Sequence, residues 1–278
     1  MILLLVTFIP SILPQPPRSR NQVALNKTIG YFAKNYNVTT GLIPHSPGNR
    51  SFFLYPDNYV VSLALFRYGG GNQSTQGFST ALNAAFGGYL VTAPGNFRLS
   101  SYTALNSTRG SFQCSEIVSE GWTSQGSTTI QGRGSAEIAS VANDAGQSCT
   151  TGNFADLLLL QAVFYHHMGN DSTALSLLQL ARGEFDGHGF SDQASGGSYQ
   201  TSKLALYVYA STCLNQGSSD QTLPKVETIL LHQQDNVTGG FYPTYDSNLD
   251  HIGTIVDTGT TALAALAVEL MINPATTC

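Results

Sequence analysis

Residues 227–270 read ETILLHQQDNVTGGFYPTYDSNLDHIGTIVDTGTTALAALAVEL. An apolar helical run, ETILLH, gives way to a Gly-Gly pair and a polar loop. Asp257 then opens a second run that is apolar nearly all round, and a helix with no polar face must be enclosed on several sides. The stretch therefore predicts an outer helix ending at Gln234 or Asp235, a turn at Gly239 and Gly240, and an inner helix starting at Asp257. Glycine suits such a helix exit because the chain often needs a positive φ there. On this reading Asn236 faces solvent.

The same plan recurs in residues 31–68, YFAKNYNVTTGLIPHSPGNRSFFLYPDNYVVSLALFRY, and in 177–210, LLQLARGEFDGHGFSDQASGGSYQTSKLALYVYA. Each copy ends a first helix, turns at Gly followed by Leu or Phe, crosses a polar loop and starts a second helix rich in Ala and Leu. A fourth, degenerate copy runs from a helix at 74–86 through a long Gly/Ser/Thr-rich insertion to NFADLLLLQAVFYHHMG at 153–169. Helical periodicity is found near 22–36, 58–69, 74–86, 153–169, 171–184, 200–215, 221–234 and 257–272, with no run of alternating strands to compete. The expectation is an all-α fold: an (α/α) toroid of about four helix-loop-helix units over residues 22–278, with an insertion at 87–152.

The segment LLHQQDNVTGGF resembles the Gln-then-Gly-Gly-Phe element of terpenoid-cyclase and prenyltransferase toroids, and the plan is similar to the (α/α) barrels of polysaccharide hydrolases and lyases. The resemblance covers the last unit in residues and the others as a pattern. It implies a fold rather than an activity. The acidic DxDD cyclase motif is absent from the sequence, and no Asp, Cys and His triad for zinc is recognisable.

Charged residues make up only 10% of the 278 positions, against about 25% in an ordinary soluble domain, although the apolar fraction of 42% supports a sizeable core. Polar cover is offered instead by Asn-x-Ser/Thr sequons at Asn26, Asn37, Asn49, Asn72, Asn106, Asn170 and Asn236. Few charges and many sequons together point to a secreted or extracellular surface protein bearing N-glycans. Residues 1–21 begin with an apolar run, MILLLVTFIP, that is signal-like or, if retained, an assembly segment for self-association. Of the cysteines, Cys114 and Cys149 bracket part of the insertion, while Cys213 ends a helix and Cys278 lies at the tail. The pairing Cys114–Cys149 and Cys213–Cys278 is expected in an oxidising compartment. A net charge of −5 with a pI near 5.6 gives no basic patch for nucleic acid.

The starts of the inner helices converge on one rim, and they carry Asp57, Asp156 and Asp257, with Tyr199 and Gln200 in the remaining unit. Carboxylates around a cavity serve as acid and base for glycoside cleavage when their surroundings push their pKa values apart. The plainer role is N-capping, which Asp favours. Asp186, His188 and Asp192, and likewise Asp246, Asp250 and His251, have the composition of metal sites but no spacing that names one; turn chemistry explains them as well, and no metal or cofactor is assigned. Tyr55, Tyr59, Tyr199, Tyr242 and Tyr245, in or beside the rim loops, offer rings for carbohydrate, or else pack those loops onto the helices, which is the plainer role for most of them. Two functions remain open: a structural glycoprotein, such as a subunit of a filament or coat, and a polysaccharide-cleaving enzyme of the α/α-barrel type. Composition favours the first.

Overall fold

The structure, a computed structural model, describes residues 19–38, 41–50, 52–68, 105, 122–129, 135–141, 154–192, 197–216 and 219–274. Helix dominates: α1 Arg20–Asn35, α2 Tyr55–Tyr68, α3 Ala155–His167, α4 Asp171–Gly183, α5 Thr201–Cys213, α6 Leu223–His232 and α7 Thr258–Ile272. Three of these start on a side-chain cap, where Ser19, Asn170 and Asp257 accept a backbone N–H three residues ahead. The expected helix at 74–86 lies outside the described residues, as do residues 1–18 and most of the insertion.

Burial separates two kinds of helix. In α5 every residue from Lys203 to Ser211 is buried, and in α7 every residue from Thr260 to Leu270. By contrast α1 buries Ala24, Leu25, Thr28, Tyr31 and Phe32, and α6 buries Leu223, Val226, Ile229 and Leu230, one face each at helical spacing. Contacts follow from this. α7 packs against α1, α2 and α5, and α5 packs also against α3 and α6, with α4 lying on α3 and meeting α5.

The loops that join outer to inner helices share one construction. Each closes on itself through an isolated bridge, Asn37 with Leu42, Phe185 with Phe190, and Gln234 with Phe241. Each is then held by its own inner helix. Asn58 of α2 binds the backbone of Ile43 through both its amide atoms, Lys203 of α5 binds Asp192, and Thr261 of α7 accepts from the N–H of Phe241. Finally, each loop supplies the acceptor for the first N–H of another inner helix. Thr258 N donates to His45 O at 2.8 Å, Thr201 N to Pro243 O at 2.9 Å, and Ala155 N to Asp192 Oδ2 at 2.9 Å. Helix starts leave N–H groups without intrahelical partners, so these contacts satisfy donors and fasten neighbouring units together in one step.

The Gly-Gly pair has its reason in α1. Gly239 has φ +82°, and a Cβ there would stand 2.3 Å from the backbone oxygen of Lys27; at Gly240 it would stand 2.7 Å from Val256 and 2.9 Å from the Tyr31 ring. Beside them the Gln234 amide donates to Ala24 O, Thr28 Oγ1 and Gly239 O. The turn is thus pressed onto a helix more than two hundred positions earlier in the chain. Drawing Gln234 into this contact and into the bridge with Phe241 ends α6 at His232, two or three residues before the end at Gln234 or Asp235 expected from the sequence.

Among the described residues five short strands also form, contrary to the expectation of none. Trp122–Thr129 (β2) and Ser135–Val141 (β3), inside the insertion, form an antiparallel pair, and β3 runs parallel to β1, Phe52–Leu54, immediately before α2. The sequences WTSQGSTT and SAEIASV lack regular apolar alternation, so the periodicity that marks a half-buried strand is missing from them. Tyr199–Gln200 (β4) pairs with Thr244–Tyr245 (β5), which lays the last loop across the start of α5.

Candidate functional site

The starts of α2 and α7 bring Asp57 and Asp257 together. The oxygens of Asp57 and Asp257 lie 2.5 and 3.5 Å from the point where a Cβ on Gly259 would stand, which bounds their separation. A glycine at that place lets the Asp57 carboxylate close on the first turn of α7, where the helix dipole favours negative charge. The third member of the cluster, His45, comes from the loop that follows α1. Its Nδ1 lies 2.8 Å from Asp57 Oδ2. A carboxylate only accepts, so the His45 Nδ1–H donates to Asp57. The His45 side chain is 35% exposed and that of Asp57 8%.

Asp257 acts as the N-cap of α7. Its Oδ1 accepts from Thr260 N at 2.6 Å and its Oδ2 from Thr260 Oγ1 at 2.8 Å. Burial, and then the neighbouring Asp57 charge, push its carboxyl above the usual range against the pull of the Thr260 bonds and His45. Tyr31 closes the cluster from below. Thr258 Oγ1 donates its one proton to Pro44 O at 2.6 Å, so Tyr31 donates to Thr258 Oγ1 across 3.3 Å. Burial chiefly raises the Tyr31 hydroxyl far above the ordinary tyrosine range, and the charges of Asp257 and Asp57 add to this.

Of the three rim acids, only Asp257 caps a helix. Asp57 is the third residue of α2, and Asp156 sits in the first turn of α3, whose cap is Phe154. Two carboxyls in unequal surroundings beside a histidine have the makings of an acid and base pair. Both oxygens of Asp257, however, are engaged by its own helix.

The loop clusters turn out to be joints. Asp186 Oδ1 accepts from the N–H groups of His188 and Gly189, and Tyr199 donates to its Oδ2 at 2.6 Å. Burial pushes the Asp186 carboxyl up, but these bonds outweigh it and hold it below the usual range, while the same contact pushes the Tyr199 hydroxyl up to about 12. Asp246 Oδ1 accepts from Asn248 N and Asp250 N in a turn of the same kind. Asp192 is spent on Lys203, whose Nζ lies 2.5 and 2.6 Å from its two oxygens; the two side chains are 1% and 0% exposed. Among the described residues no group of three His, Cys, Asp or Glu is placed to hold a metal ion.

The rim rings are occupied with one another. Tyr199 stacks on Tyr245 with centroids 5.5 Å apart, and Tyr242 stacks on His251 at 3.9 Å. Tyr59 packs against the core, and the Tyr55 side chain lies outside what is described.

Among the sequons, Asn49, Asn170 and Asn236 are exposed, whereas Asn37 is half-buried in its bridge. Asn26 is half-buried on α1, where its Oδ1 accepts from Gln22 and from the Tyr68 hydroxyl, and the Thr28 of its sequon is buried. Asn72 and Asn106 lie outside the described residues. Cys213 is disulfide-bonded; Cys114, Cys149 and Cys278 are likewise outside, and with them the expected pairing.

Sequence reasoning missed His45 and Lys203. No spacing signalled the first, since His45 stands three residues after Leu42 whereas Asp192 stands two after Phe190 in the third unit. Lys203 was the one charged residue in an otherwise enclosed helix, which demands a buried partner. Comparison with known proteins adds no relative: no family model matches the chain, and neither does any curated protein or solved structure.

Proposed function

We propose that the chain is an extracellular glycoprotein with a structural role, built on an (α/α) toroid. The observation that carries this reading is how the buried acids are used: Asp57 binds His45 of the loop before its own helix, Asp192 ties Lys203 to the start of α3, and Asp257 holds its own first turn. A toroid is supported by the loop following α1, which caps α7 as the later loops cap α5 and α3, so that the first unit follows the last. N-glycans would take the place of charge at the surface, and Asn49, Asn170 and Asn236 are open to carry them. Self-association through residues 1–21 belongs to the same reading, because burying an apolar side chain contributes about 1.5–3 kcal/mol.

Glycopeptide mass spectrometry and electron microscopy of the native material test it. Occupied sites at Asn49, Asn170 and Asn236, an empty Asn26 and ordered contacts between copies are expected. Unmodified protein in isolated particles would refute the reading.

The second reading, polysaccharide cleavage, draws on one observation: Asp57, His45 and the raised Asp257 share one cluster. Hydrolysis of a polysaccharide that is lost in Asp57→Asn, with the fold intact, would favour it over the structural role.

A further inference from the structure

Between α1 and the end of α6 runs a groove of about 400 Å³, within the range of small-molecule sites. Val23, Ala24 and Leu231 give it apolar surface, Arg20 and His232 stand at its edge, and Asn236 is part of its wall. A sugar ring has an apolar face and a polar circumference, and a groove with this mixture of side chains suits it. Among the described residues no carboxylate lines it.

Asn236 is held in a set orientation there. The Lys27 ammonium donates to Asn236 Oδ1 at 2.9 Å, and because an ammonium has no lone pair the contact fixes which amide atom is oxygen. Nδ2, the atom that carries an N-glycan, is the other one. The sequon backbone is fixed as well. Asp235 accepts from Val237 N and Thr238 N and from Thr238 Oγ1, and Gly239 N donates to Asp235 O. Asn26 differs in burial, being half-buried with its sequon threonine turned into the core.

We infer that the groove between α1 and α6 is the seat of the glycan carried by Asn236, with the first sugar lying over Val23 and Leu231. This rests on the glycoprotein reading above. The glycan then covers the seam where the first and last units meet, and shields Val23, which is 42% exposed in the bare chain.

The test uses the native glycosylated protein with Val23→Cys and follows labelling of that thiol by a small maleimide. Two variants that cannot be modified at Asn236 serve as reference: Asn236→Gln, and Val237→Pro, which places Pro inside the sequon. Either one suffices if the other fails to fold. Labelling about tenfold slower with the glycan than without it is expected, the protection of a covered site. Equal rates in protein whose Asn236 is shown by mass spectrometry to be occupied would overturn the seat and leave glycosylation standing. An empty Asn236 beside occupied Asn49 and Asn170 would overturn the seat alone, and empty sequons throughout would remove the glycoprotein reading with it.

Discussion

Replacing Gly239 by Ala tests whether the Gly-Gly turn exists to receive α1. Two costs add at this position. The backbone has φ +82°, where an L side chain is strained by about 1–2 kcal/mol. The new Cβ would also stand 2.3 Å from Lys27 O and 2.7 Å from Lys27 C, and since both atoms are backbone, α1 must move; overpacking of this sort costs about 1–3 kcal/mol. A loss of about 2–5 kcal/mol is therefore expected. Gly169→Ala and Gly253→Ala are the controls. Their φ values are +76° and +88°, but nothing lies within 4 Å of a Cβ at either, so they incur the strain without the collision and should lose about 1–2 kcal/mol. Urea denaturation followed by circular dichroism gives the three midpoints, and each kcal/mol also lowers Tm by about 2–4 °C in a domain of 150–250 residues. If Gly239→Ala is no more destabilised than the controls, α1 does not press on the turn and the account of the seam fails.

Lys203→Met should cost about 3–5 kcal/mol by leaving Asp192 charged and buried, and a midpoint shift worth less than about 1 kcal/mol would show that water reaches the pair. Asp257→Asn should hold the helix as well as the natural cap, since Asn and Asp cap alike. The folded pKa of Asp257 is raised, so its contribution is fully present below the unfolded value and is lost as pH rises through the folded one. Asp257→Asn should therefore match or exceed the natural chain in thermal stability at neutral pH and lose that advantage in acid; a variant less stable at every pH would contradict this. Asn58→Ala removes both bonds to the Ile43 backbone, leaving a buried N–H and C=O unsatisfied at about 1–3 kcal/mol each, and should raise hydrogen exchange in residues 41–46 first.

The helices were legible because their apolar faces repeat at helical spacing, and the inner ones because SKLALYVYA and TALAALAV have no polar side at all. The glycine turns were legible too, though not their full cause. Gly41, Gly187 and Gly239 take positive φ as a helix exit requires, but Gly239 is also fixed by a backbone more than two hundred residues away, and no local pattern encodes that contact. Asp57 and Asp257 were expected near one another, and they lie together beside Gly259; His45 entered the cluster through loop packing alone. Of the loop acids for which composition left both a metal and a turn open, Asp186 and Asp246 hold turns and Asp192 pairs with Lys203, which shows how little composition says of a carboxylate until its neighbours are placed. The strands of the insertion escaped notice because backbone pairing needs no apolar alternation.

The joint at the start of α7 has a consequence for how the chain is made. Thr258 donates to Pro44 O through its hydroxyl and to His45 O through its N–H, and Gln234 reaches Ala24 and Thr28, so this earlier loop and helix wait for partners more than two hundred residues later in the chain. While the ribosome is still at work, α1 and its loop have their own bridge and Asn58 to hold them, but the Tyr31 and Phe32 face lacks the cover of α7. Closing so long a loop adds little in equilibrium free energy, since each doubling costs only about 0.6 kcal/mol, but it delays folding. The nascent chain thus carries the apolar face of α1 uncovered until α7 has emerged.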